Sequence, residues 1–130
     1  MFLTRDEILA AQDIRVERVE VPEWGGVVLV RGLTAAERDE FDLSATVERD
    51  GRRVVNFQQL RARLVAMSLV DEHGKRLFSD ADVDSLATKS GAAIGRIFDV
   101  AMRLSGLTGQ DIEEITRNFT TTPPDAFLSG

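Results

Sequence analysis

The sequence predicts a mainly α (α+β) fold, a small helical domain with an N-terminal β-hairpin or small sheet. Three observations carry this expectation. Helix-capping signatures recur along the chain, two long segments space apolar residues by three and four, and one early segment is rich in β-branched residues interrupted by turn formers. The chain has 130 residues, 43% of them hydrophobic, and no long charged or Pro/Gly-rich tract. One compact domain over residues 1–119, with a flexible tail over 120–130, is therefore expected.

The first helix opens at Leu3-Thr4, with Glu7 and Ile8 completing a cap and an apolar clasp. Between Ile14 and Gly32 the pattern changes. Val19 and Val21 alternate with Arg18, Glu20 and Pro22, then Gly25-Gly26 turns the chain, and Val28 and Val30 alternate with Leu29 and Arg31. This reads as a hairpin, which must pack on a helix or extend into a larger sheet because two isolated strands are marginal in water. Trp24, beside the turn, is placed to cover one end of the core.

Thr34 with Glu37 repeats the cap without the apolar clasp and opens a helix to about Ala45. Thr46 to Val55, with Asp50-Gly51 at its centre, is a polar loop or a second small hairpin. Val55-Asn56 with Gln59 and Leu60 predicts another helix start, and Phe57, Leu60, Leu64 and Met67 form its core-facing stripe. Asp71 to Lys75 is a turn. Phe78-Ser79 with Asp82 and Val83 is the next cap, and Ile94, Ile97, Phe98, Ala101 and Leu104 mark the expected central helix, stopped by Gly106. Leu107-Thr108 with Asp111 and Ile112 is the last cap. Beyond it, Pro123-Pro124 ends regular structure, and Phe127 and Leu128 follow as an apolar hook.

Composition narrows the function classes. There is no cysteine, so disulfides, thiolate catalysis and cysteine-based metal sites are excluded. A net charge of −6 argues against a nucleic-acid partner, and Arg49, Arg52 and Arg53 surround Asp50-Gly51 as a solvated turn would. The apolar start Met1-Phe2-Leu3 runs at once into Thr4-Arg5-Asp6-Glu7, so neither a signal peptide nor a membrane span is expected, and the protein should be soluble and intracellular.

No catalytic, cofactor-binding or metal site emerges from the residues. His73 is the only histidine and lies in the turn with Asp71 and Glu72. Asp80, Asp82 and Asp84 have the alternate spacing of a calcium loop, but Ser85 stands where its glycine belongs and Gly91 where its glutamate belongs. Capping at Ser79 accounts for those acids more simply. Glu7, Glu37 and Asp111 are likewise third residues of caps, and Ser90-Gly91 and Ser105-Gly106 read as helix ends. What remains is apolar material without an assigned core role, namely Trp24, Met102, Phe119, Phe127 and Leu128, which are the candidate partner-binding residues.

Several blocks of the sequence then resemble a known family. These are Leu3-Thr4-Arg5-Asp6-Glu7-Ile8-Leu9, Val21-Pro22-Glu23-Trp24-Gly25-Gly26, Val30-Arg31-Gly32-Leu33-Thr34 and Glu37-Arg38-Asp39. They continue with Leu69-Val70-Asp71, Gly74-Lys75-Arg76-Leu77-Phe78, Asp82-Val83, Leu104-Ser105-Gly106-Leu107-Thr108, Asp111-Ile112-Glu113-Glu114 and Asn118-Phe119. In this order they resemble the short form of the tail assembly chaperones of long non-contractile-tailed bacteriophages and related prophages.

The resemblance implies a non-enzymatic protein of the host cytoplasm, without cofactor. It implies binding of the tape-measure protein during tail assembly and absence from the finished virion. A longer frameshifted form, contact with the tail tube protein through that form, and self-association are further expectations. Relatives often continue beyond the position of Phe119, so the end Asp125 to Gly130 departs from the pattern. Two alternatives stand beside this reading. One is a permanent head–tail connector component, and the other is a small cytoplasmic enzyme using Asp71, His73 and Asp80.

Overall fold

A computed structural model describes residues 1–57, 59–108 and 110. The fold is α+β, as the sequence predicts, and among the described residues the buried apolar side chains other than Val70 form one cluster. Of the last predicted cap, Leu107-Thr108 with Asp111 and Ile112, the last two residues lie outside the described residues.

The chain begins with α1 (Arg5–Ala10), opened by a reciprocal cap in which Thr4 Oγ1 accepts from the Glu7 amide and Glu7 accepts from the Thr4 amide at 2.9 Å. Strands β1 (Val16–Val21) and β2 (Gly26–Arg31) follow as the expected hairpin, joined by a 3-10 turn over Pro22–Trp24. Gly25, at φ +73°, supplies the left-handed residue that closes this turn. Val19 faces Val28 and Val21 faces Gly26 across the pair, so Val19, Val21 and Val30 point into the core.

The hairpin does extend, within the same chain. A two-residue strand, β5 (Leu69–Val70), adds antiparallel to β2, giving the order β1-β2-β5. Helix α2 (Ala35–Ser44) has the Thr34–Glu37 cap and buries Phe41 completely. Thr46 to Val55 is the second small hairpin, β3 (Thr46–Arg49) and β4 (Arg52–Val55), turning through Asp50 and Gly51, both at positive φ.

Helix α3 (Leu60–Ser68) corrects one expectation. Asn56 is not its cap residue: the cap position is Gln59, while the Asn56 amide donates to the Ala45 carbonyl at 2.7 Å and so continues the β3–β4 ladder. The helix begins only after Gln59, which adopts a left-handed conformation. Phe57 consequently sits before the helix and is 59% exposed rather than part of its core stripe, whereas Leu60, Leu64 and Met67 are buried as predicted. Ala62, Val65, Ala66 and Ser68 are buried too, so α3 is enclosed on nearly every side.

After the Asp71–Lys75 turn, Ser79 and Asp82 form the predicted reciprocal cap, but it opens a 3-10 turn (Asp80–Asp82) that leads into the single-turn helix α4 (Val83–Leu86). Helix α5 (Gly91–Leu104) is capped by Ser90, whose Oγ accepts from the Ala93 amide at 3.2 Å. Of its predicted stripe, Ile94, Ile97, Phe98 and Ala101 are buried and Leu104 is partly buried, Ala93 joins them, and the helix packs against α3, β1 and β2. Arg61 of α3 lies over the Phe98 ring, 5.7 Å from its centre.

The end of α5 forms a tight seam with the end of β2. Gly106 is left-handed, the Leu107 amide donates to the Met102 carbonyl at 2.8 Å, and the Gly106 amide donates to the Arg103 carbonyl. Ser105 then reaches across, its Oγ accepting from the Leu33 amide at 2.9 Å. At this seam Gly32 is pressed so close to α5 that a Cβ there would stand 2.5 Å from the Leu104 carbonyl oxygen.

Candidate interaction surfaces

Residues 1–16 are exposed throughout. Within them, Phe2 is 99% exposed, and Leu3, Ile8 and Leu9 are also exposed, although α1 is well capped. The cap explains why a six-residue helix forms, since it satisfies orphan amides and places Asp6 and Glu7 at the positive end of the helix dipole. It does not bury the helix. The arm is joined to the globule where the Gly32 amide donates to the Arg15 carbonyl at 3.0 Å.

The hairpin turn makes a second surface. Glu23 is clamped by Arg96 of α5 through two hydrogen bonds of 2.8 and 2.9 Å, and this pairing holds its carboxyl down to about 2. A parallel tie joins Glu17 to Arg103 at 2.8 Å. With the turn held in this way, Trp24 is 36% exposed and borders a depression of about 260 Å³ with Phe78, Ser85, Leu86 and Lys89. Its walls are mostly apolar, which suits an aromatic or aliphatic anchor rather than polar chemistry.

The other predicted contact residues fall elsewhere. Met102 is partly buried against the core. Phe119, Phe127 and Leu128 lie outside the described residues, as does the predicted tail over 120–130. From sequence, Leu3 and Ile8 read as the apolar clasp around the Thr4 cap, which gives the arm no contact role. Its available signal was length: six residues cannot present a long stripe.

Residues considered for chemistry serve local structure. Asp71 Oδ1 accepts from the amides of His73 at 2.7 Å and Lys75 at 3.0 Å, and these backbone donors, Lys75 foremost, hold its carboxyl below the usual range. Asp80 pairs with Arg76 at 3.2 Å. An enzyme built on Asp71, His73 and Asp80 needs one concave site, yet Asp71 and Asp80 line different depressions. Glu37 caps α2 and also receives a two-pronged contact from Arg31, at 2.8 and 2.6 Å, which holds its carboxyl down to about 2. Among the described residues, no group of three His, Asp or Glu is placed to hold a metal ion, and no helix is long and apolar enough to cross a membrane.

No curated protein and no solved structure gives a match. The family model for phage tail assembly chaperones matches residues 4–118, a span that takes in the arm from Thr4 onward, the hairpin, the α5 seam and the segment beyond it. The chain therefore belongs to the phage tail assembly chaperone family.

Proposed function

We propose that this protein binds the tape-measure protein in the host cytoplasm while the phage tail is being built, without catalysing a reaction, and leaves before the virion is complete. The family match over residues 4–118 carries this reading. A physical argument supports it. A tape-measure protein is a long helical chain whose apolar faces need cover until the tube encloses it, and contacts that must later be exchanged are best made by small, separately exposed apolar groups. Phe2, Leu3, Ile8 and Leu9 on the arm, with Trp24 at the turn, offer such contacts.

The test is co-expression of untagged tape-measure protein with this chain carrying an affinity tag, followed by quantitative mass spectrometry of the captured complex and of finished tails. Capture of the tape-measure protein, with the chaperone depleted from finished tails, is the expected outcome. A fixed ratio of this chain to the tape-measure protein in finished tails would replace the proposal with the connector reading.

A further inference from the structure

We infer that two copies of this chain pair through the free edge of β1, antiparallel, with Val19 of one copy facing Val19 of the other across a two-fold axis. The inference concerns the isolated protein and does not depend on what the chaperone carries. It starts from the sheet order β1-β2-β5, in which β1 is a six-residue strand that, among the described residues, is bonded on one side only. Antiparallel bonding alternates along a strand. Because the Gly32 amide bonds its opposite residue Arg15, the residues of β1 that bond β2 are Glu17, Val19 and Val21, and the amides and carbonyls of Val16, Arg18 and Glu20 point away from the sheet.

The side chains specify which register a second copy would choose. Arg18 and Glu20 lie on the solvent face, and the residues directly across from them within the chain are Leu29 and Val27, so neither has an opposite charge facing it across the sheet. With Val19 on the axis, Arg18 of each copy faces Glu20 of the other. This forms two opposite-charge pairs, and both are backbone-bonded positions. Sliding the strands to put Arg18 on Arg18, or Glu20 on Glu20, sets like charges against each other. The same operation closes on itself, as a two-fold interface must, and removes the open edge by joining two three-stranded sheets into one of six. It also sets Val16 opposite Pro22 of the second copy, so each exposed arm leaves the sheet beside the other copy's Trp24 turn.

The register is tested by charge reversal in the full chain, with sedimentation velocity over a range of concentrations. The wild type should show a reversible monomer–dimer equilibrium. Arg18→Glu and Glu20→Arg should each weaken dimerisation by about tenfold or more, because each turns two attractive pairs into repulsive ones. Mixing the two variants should restore a dimer, since every pair in the mixed species is again Glu against Arg. This recovery also shows that each variant is folded. A wild type that stays monomeric at every concentration would overturn the inference. So would a dimer indifferent to both reversals, or variants that do not recover on mixing.

Discussion

The two threonine-glutamate caps, at Thr4 with Glu7 and at Thr34 with Glu37, use the same residues at the same spacing and meet opposite fates. Both make the reciprocal bonds that open a helix. Helix α1 buries nothing, whereas α2 drives Phe41 fully into the core, and its Glu37 also binds Arg31. A cap decides where a helix starts. Whether that helix contributes to the fold depends on tertiary partners. On the function proposed above, the exposed arm serves association and α2 serves stability, and the following predictions can break or sharpen that contrast.

The largest effect should come from truncating the two apolar side chains in turn. Phe41→Ala should destabilise the protein by about 3–5 kcal/mol, and Ile8→Ala should stay within about 0.5 kcal/mol of wild type. Denaturant titration compares them directly, and similar losses would mean that the arm packs on the globule. Next is the seam that α2 leans on through Gly32-Leu33-Thr34. Gly32→Ala should cost about 1–3 kcal/mol, because its new methyl group meets the rigid Leu104 carbonyl rather than a movable side chain. Gly26→Ala, where a Cβ meets nothing within 4 Å, is the matched control for thermal unfolding.

A smaller difference should separate the two glutamates. Glu37→Gln removes a charged contact with a partly buried arginine and should cost about 1–3 kcal/mol, while Glu7→Gln should cost a few tenths. The pH dependence has a definite sign. Glu37 and Glu23 are both held to about 2 in the folded state, against an ordinary 4.5, so the unfolded chain takes up these protons first as pH falls. Their stabilisation is whole above about 4.5 and is lost progressively toward about 2. Stability measured across that window should fall less steeply in Glu37→Gln than in wild type. An unchanged slope would show that the Arg31 contact is not formed in solution.

Much of this contrast lies beyond what a sequence can display. The caps, the β1–β2 hairpin, the Asp71–Lys75 turn and the α5 stripe are local patterns, and local physics is enough to read them. Asn56 has sound cap spacing, but it extends the β3–β4 ladder through its amide and the helix starts three residues later than the cap predicts, which is visible only once β3 and β4 pair. The enclosure of α3 was hidden for a related reason, since Ala62, Ala66 and Ser68 are buried by what surrounds them and not by their own hydrophobicity. Gly32 against Leu104 and Ser105 against Leu33 are distant in sequence, so neither has a periodic signature. Trp24 was legible as an aromatic beside a turn. The arm was not, because a capped apolar segment reads alike whether it docks inward or stands free.

The smallest effect on stability belongs to the same change that should most affect binding. Ile8→Asp combined with Leu9→Asp replaces two exposed apolar side chains on α1, and unfolding should remain within about 0.5 kcal/mol of wild type. The decisive measurement is the amount of co-expressed tape-measure protein retained by this double variant relative to the wild type. The account predicts that most of it is lost from a chain that is still folded. Retention equal to wild type would contradict the claim that the arm is a docking element.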